Sequence, residues 1–443
     1  MAILLLVIFP IATIAQTEST FNTTLRTALN GQFSTISTPY TKISARNIDR
    51  YNALLLSKTI EAIISGQDQP CKEALSIGSQ VLNYANISND EAIWANLSVT
   101  LIKSYKKAYL PALFSAYKTH SLLQKSSAST PEIQACINLF NAVYQSIPSS
   151  YYKTLNLAGF SPIALPQESV KAETDFSRTI DVFVQTVVNN QEPHKTQNTN
   201  AVTALLIANY YLKSNQPQRA LSALKNTDTL RSNLPIIYYY KGNAFLNLGQ
   251  YQKANYYFDK FMFQQATGNF IKSALLRKMW IAIIQQQPYE HYKELIIERG
   301  SNYTFTDRQA ELEADKRYHS KLLQMRILFD GGNYSKAYTV GTEIITNELN
   351  DTQLAEYFYR MGRITNALND TNKALNYYRQ VRKQPNSGEY YHKKSLVEAG
   401  KIQLKKENRN GAIQLLKQAL ETHSDEYADA LDQEAASLLE DLK

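Results

Sequence analysis

Glycine and proline are scarce in this 443-residue chain, with 15 and 13 residues, about half the roughly 12% share of an average protein. So few turn formers argue against β-sandwiches, barrels and Gly-rich phosphate loops. Cysteine is rarer still. Cys71 and Cys136 are the only two, so no disulfide framework holds the chain together, and sulfurs without a nearby His give no zinc pattern. One bridge stays open in an oxidising compartment, but two buried free thiols are the expectation. Tryptophan is nearly absent, 2 residues against 30 Tyr and 16 Phe.

Charge is missing from Met1 to Ala15, where the apolar run Ile3 to Phe9 leads to Pro10 and the small-residue exit Thr13 and Ala15. The run falls well short of the about 20 apolar residues a membrane span needs. It reads as a secretory signal cleaved before Gln16, although it lacks the usual Lys or Arg near Met1. No Cys stands at the cleavage point, which excludes lipid attachment there. The localisation expected is therefore export, to a periplasm, cell envelope or medium. The net charge of +8 is spread along the chain in short runs interrupted by Glu, a solvated helix surface more than a nucleic-acid face.

Catalytic signatures are also missing. The sequence has no His-Glu-x-x-His, Gly-x-Ser-x-Gly, Walker loop or Gly-x-Gly-x-x-Gly. The six His residues lie far apart, with no pair at a metal-binding helical spacing. No enzyme, cofactor or metal is expected. An unrecognised site among the less regular residues 135–191 is the one enzymatic alternative, and that region also fits a joint between two arrays.

What is present is helical periodicity. Apolar residues recur at three- and four-residue spacing in segments broken by Pro, Gly or Asn-Asp steps. Pro70, Pro131, Pro217 and Pro288 sit where helices begin, because the first-turn amide has no intrahelical partner. Asp307 reads as an N-cap, and the β-branched stretch Thr179 to Val188 as a helix. The expected layout is a signal at 1–15, a Ser/Thr-rich lead-in at 16–47, degenerate helical hairpins at 48–192, and repeats at 193–300 and 301–443.

The repeat has a fixed grammar. Ala208 and Ala220 lie 12 residues apart, as do Gly242 and Ala254, and the second pair follows the first by 34. The fullest copy is Tyr238, Gly242, Phe245, Gly249, Tyr251, Ala254, Tyr257, Phe258. Gly362 with Ala374 and Tyr378, and Gly400 with Ala412, Leu416 and Ala419, keep the offset. Leu328, Gly332, Tyr334 and Ala337 follow it on their second helix, where Met325 and Gly341 depart. Trp94, Leu97, Ser98 and Leu101 match its opening. This pattern resembles the tetratricopeptide repeat.

The resemblance implies an all-α fold, a right-handed superhelical array of antiparallel helix-turn-helix units whose first helices line a concave groove. In that register the residues expected to face the groove are Asn209, Asn243, Arg326, Arg363 and Lys401, with Leu205, Tyr239, Leu322, Tyr359 and Val397 one turn earlier. The binding set is Asn209, Tyr239, Asn243, Arg326, Tyr359, Arg363 and Lys401. Amides suit a peptide backbone and guanidinium groups suit carboxylates. The expected partner is a protein or extended peptide with acidic residues toward one end, in an envelope or membrane-associated complex, and not nucleic acid. A carbohydrate- or small-ligand-binding protein is the alternative, since the Tyr content permits it. Most tyrosines are expected between helices.

Overall fold

The computed structural model describes residues 27–33, 36, 42–125, 131–145, 156–163, 175–193, 200–227, 234–384, 389–422 and 428–442. The signal at 1–15, most of the lead-in and residues 146–155 and 164–174 of the irregular region lie outside them. Among the described residues the fold is all-α, with no strand. The chain divides into two compact units. The first comprises residues 1–245, 252–279 and 290–315. The second comprises residues 246–251, 280–289 and 316–443.

In chain order the helices are α1 (Ile48–Ser65), α2 (Asp68–Leu82), α3 (Asn89–Tyr105), α4 (Tyr109–Lys125), α5 (Pro131–Gln145), α6 (Asp175–Phe183), α7 (Ala201–Lys213), α8 (Pro217–Leu224), α9 (Ile236–Asn247), α10 (Tyr251–Gln264), α11 (Ile271–Ile284), α12 (Glu290–Glu298) and α13 (Phe305–Ala314). They continue as α14 (Ser320–Asp330), α15 (Tyr334–Thr342), α16 (Asp351–Ala367), α17 (Thr371–Arg382), α18 (Glu389–Lys405), α19 (Arg409–Glu421) and α20 (Ala428–Glu440). Pro131 and Pro217 open their helices, Pro70 falls in the first turn of α2, and Pro288 just precedes α12. Thr179 to Val188 is helical, its last turn widening into a π-turn over Val184–Val188. Both cysteines are buried and free.

One turn recurs throughout. Gly66, Lys107, Asn215, Gly249, Gly332, Asn369 and Glu407 all have positive φ, and each stands two residues before the second helix of its hairpin. At five of these turns the next residue's N–H closes back on a carbonyl five residues earlier: Ala108 on Lys103, Gln216 on Tyr211, Asn333 on Leu328, Asp370 on Thr365 and Asn408 on Gln403, at 2.8–2.9 Å. This is the left-handed helix termination that satisfies orphan carbonyls.

Aligning hairpins on this turn extends the repeat into the N-terminal half. Seven residues before the turn stand Thr59, Thr100, Ala208, Gly242, Met325, Gly362 and Gly400, and five after it Cys71, Ala112, Ala220, Ala254, Ala337, Ala374 and Ala412. All are buried. Ser98, matched from sequence, is therefore two residues out of register, and Thr100 holds the place. Threonine fits because its hydroxyl donates to a carbonyl of its own helix, Thr100 to Asn96 at 2.7 Å and Thr59 to Leu55 at 2.9 Å.

In three hairpins a glycine of the first helix receives a large residue from the second. A Cβ on Gly242 would lie 2.7 Å from the Phe258 ring, on Gly362 2.5 Å from the Tyr378 ring, and on Gly400 3.0 Å from Leu416. Phe258, Tyr378 and Leu416 are fully buried, each contributing about 1.5–3 kcal/mol by burial. The α14–α15 hairpin reverses the pair. Met325 is the large residue, and a Cβ on Gly341 would meet the Met325 methyl at 2.9 Å and, closer still, the sulfur of Met361 on α16 at 2.5 Å. Volume is kept while the sides exchange.

In the first unit, Asn269 joins α1 to the segment after α10. Its Nδ2 donates to the Ile63 carbonyl at 2.8 Å and its N–H to Ser65 at 3.0 Å, while its Oδ1 accepts from Tyr105 and Ser301. Asp307 is not an N-cap of its own helix, because Thr304 fills that position in α13. Its carboxylate instead caps α11, accepting the N–H groups of Phe270 at 2.6 Å and Ser273 at 3.0 Å.

Two outcomes follow. Glu407→Gly removes the strain of a side chain in the left-handed region and stabilises the α18–α19 hairpin by about 1 kcal/mol, measured by hydrogen exchange. Gly362→Leu drives a side chain into the Tyr378 ring and costs about 1–3 kcal/mol in exchange protection of α16 and α17. The exchange Gly362→Met with Tyr378→Gly, copying the Met325 and Gly341 arrangement, recovers part of that loss.

Candidate functional site

In the second unit α14, α16, α18 and α20 pack successively side by side, while α15, α17 and α19 back them. The front helices thus form one wall, and Arg326, Arg363 and Lys401 occupy equivalent positions on it, one residue beyond the small-residue place. The residues one turn earlier do not face outward. Tyr359 is 4% exposed, packed against Tyr378 and Tyr391, and Leu322 and Val397 are buried in the core. The geometric reason is that the preceding turn lies over the seam between adjacent hairpins. In the first unit the same correction applies to Tyr239. Its ring is buried against Phe258, Phe261 and Phe270, and its hydroxyl shares a hydrogen bond of 2.7 Å with Ser273. Leu205 is also buried.

The polar positions differ in availability. Asn209 is half-buried on α7, without a hydrogen bond from its side chain to any described residue. Asn243 is already engaged, since Nδ2 donates to the Tyr239 carbonyl at 2.8 Å and Oδ1 accepts from Arg277 Nε at 3.3 Å. On the wall, Arg326 stacks over Trp280 at 4.8 Å and Arg363 over Phe329 at 4.2 Å. A guanidinium over an aromatic face is attracted by the ring and keeps its N–H donors at the edge of its own plane. Among the described residues Arg363 donates no hydrogen bond to the protein. Burial pulls its pKa down, but the nearby Tyr359, followed by the charges of Asp330 and Glu398, outweighs this and leaves it above the ordinary value.

Lys401 is different. It pairs with Glu398 at 3.1 Å and with Glu434 of α20. Glu434 also meets Lys394 at 3.1 Å, and the deeply buried Lys393 pairs with Asp432 at 2.7 Å. The apolar side of α20 closes the last hairpin through Leu431 and Ala435. Farther along the wall Glu356 holds Arg360, with Nε at 2.7 Å. The cationic series read from sequence is therefore partly neutralised by acids it did not include. Glu398 lies three residues before Lys401, a helical pairing distance. Glu434 comes from another helix, and no local spacing reveals it.

What remains is a wall with two arginines over aromatic rings, Arg363 itself lying in the field of Asp330 and Glu398, and paired charges elsewhere. It can grip a planar anion such as a carboxylate through parallel N–H donors. Among the described residues no group of three or more His, Cys, Asp or Glu could hold a metal ion, and no helix is long and apolar enough to cross a membrane.

A family model described as the tetratricopeptide repeat matches residues 356–387, which span most of α16 and all of α17. No curated protein matches the chain. Among solved structures, a monomeric mutant of IFIT1 with Gppp-AAAA is 15% identical with a TM-score of 0.33, covering 96% of each chain. Yeast Tom70 is 12% identical with a TM-score of 0.24, covering 95% of this chain and 96% of its own. At these scores neither likeness bears on fold or function.

Acid loosens the end of the wall. Burial pushes the Glu434 carboxyl up, but the hydrogen bond from Lys401 and the charges of Lys394 and Lys401 outweigh it and hold the carboxyl below its ordinary value of 4.5. The folded pKa is the lower one, so this stabilisation is complete above about pH 4.5 and is lost as pH falls through the folded value. Hydrogen exchange of α20 rises over that acid range in the native chain. Glu434→Gln shows the faster exchange already at neutral pH and lacks the acid step.

Proposed function

We infer that this tetratricopeptide-repeat protein is an exported, non-catalytic scaffold that docks a protein partner through an extended, acidic segment laid along the α14, α16 and α18 wall. One observation carries the reading: the Arg363 guanidinium lies over the Phe329 ring, 4.2 Å from its centroid, and donates no hydrogen bond to the described protein. A guanidinium held over a ring has already lost rotamer freedom, so less is forfeited when a carboxylate arrives. Arg326, over Trp280, holds the equivalent position one hairpin before Arg363. Aromatic and apolar side chains of the segment would pack between the anchors.

The proposed setting is the cell envelope, consistent with the uncharged, apolar start of the sequence. The sparse, scattered basic residues support a protein partner better than nucleic acid, whose affinity rests on many phosphate contacts.

Affinity capture from the intact envelope tests this. The native chain retains a specific protein that Arg363→Glu loses. Binding of the acidic segment of that protein weakens about 10–100-fold in Arg363→Ala, the range for one charge-assisted bidentate contact. Arg363→Lys, which keeps the charge but not the planar fork, restores only part. Capture that is the same for native and Arg363→Glu refutes the wall as the docking surface.

A further inference from the structure

We propose that the outer face of α10 is a docking stripe for an anionic membrane surface. Lys253, Tyr256, Lys260 and Phe263 recur at three- and four-residue spacing along this helix, which places them in one row. The opposite side carries the core residues Ala254, Phe258 and Phe261, all fully buried. In the row, Phe263 is 89% exposed and Tyr256 59%. Tyr256 meets the Tyr257 ring edge-on at 5.1 Å and still presents more than half its surface to solvent.

The lysines of the row are poised and uncompensated. Lys260 lies 4.3 Å from the Tyr238 ring centroid and Lys253 5.4 Å from that of Phe245, and among the described residues neither pairs with a carboxylate. The one acid within this stretch, Asp259, is engaged by Lys278. Its hydrogen bond with Tyr238 raises the pKa of Lys260, so it keeps its charge at any physiological pH. Behind the row, Tyr238, Tyr257 and Phe245 form a stacked column with centroids 6.3 and 5.3 Å apart, a stiff base for the lysine stems.

The chemistry favours a lipid surface as occupant. A phenyl ring that stands 89% exposed has no pocket wall around it, and the boundary between headgroups and acyl chains accepts such a ring without any matching shape. Lysines alternating with aromatics keep their ammonium groups at the level of lipid phosphates when the rings enter that boundary. The row extends about 15 Å along the helix, enough to meet several headgroups at once. The overall charge of +8 adds an attraction that weakens with salt.

Sedimentation of the full chain with vesicles tests the proposal, comparing phosphatidylcholine alone with phosphatidylcholine containing phosphatidylglycerol. The native chain partitions onto the anionic vesicles, not the neutral ones, and salt reduces the binding. The double variant Lys253→Glu with Lys260→Glu binds at least about thirtyfold more weakly, and Phe263→Ser about tenfold. All four positions are outside the core, so circular dichroism of the variants matches the native chain. Equal partitioning of native and double variant overturns the proposal, which covers the case of binding through the apolar run Ile3 to Phe9 common to both. Equal binding to neutral vesicles overturns it too, as does capture of RNA or a soluble protein through these lysines without vesicle binding.

Discussion

Three hairpins depend on one contact, a missing side chain on the first helix filled by a large side chain from the second. Gly242 with Phe258, Gly362 with Tyr378 and Gly400 with Leu416 set how closely the two helices approach. Interiors are packed like crystals, so this distance cannot drift. The turn geometry, the buried alanine five residues beyond it and the seam against the next hairpin all inherit that spacing. Met325 with Gly341 shows that the rule concerns summed volume across the contact, not residue identity at either place.

The all-α fold and the hairpin register were readable because they rest on local spacing. The 12-residue offset, the helix-opening prolines and the buried cysteines needed no tertiary knowledge. Reading failed where a tertiary contact overrides a local signal. Asp307 resembles a cap of its own helix, yet its carboxylate serves α11 across a gap in sequence. The N-terminal hairpins hid their register because Thr59, Thr100 and Cys71 occupy places that glycine and alanine fill elsewhere. The common left-handed turn was marked by Gly or Asn at five places, such as Gly249, Gly332 and Asn369, but not at Lys107 and Glu407, which carry no such cue.

The wall was only half legible for a similar reason. Arg326 and Arg363 could be placed by counting from the small residue, and the structure adds the rings beneath them. Tyr239 and Tyr359 were misplaced because a helix turn that appears outward in a single hairpin is covered once neighbours stack. The neutralisation of Lys401 depends on α20, a helix outside the repeat grammar. A series of cations in sequence is therefore a poor measure of field until the partner helices are known.

Asn269 has a consequence for the order of assembly. A linear repeat array propagates from neighbour to neighbour and can mature as it leaves the ribosome. Here the polar ends of the Ile63–Ser65 stretch are completed by a residue more than 200 positions later in the chain. During synthesis those carbonyls bond to water until the segment beyond α10 has emerged, so this seam can form only once both segments are present.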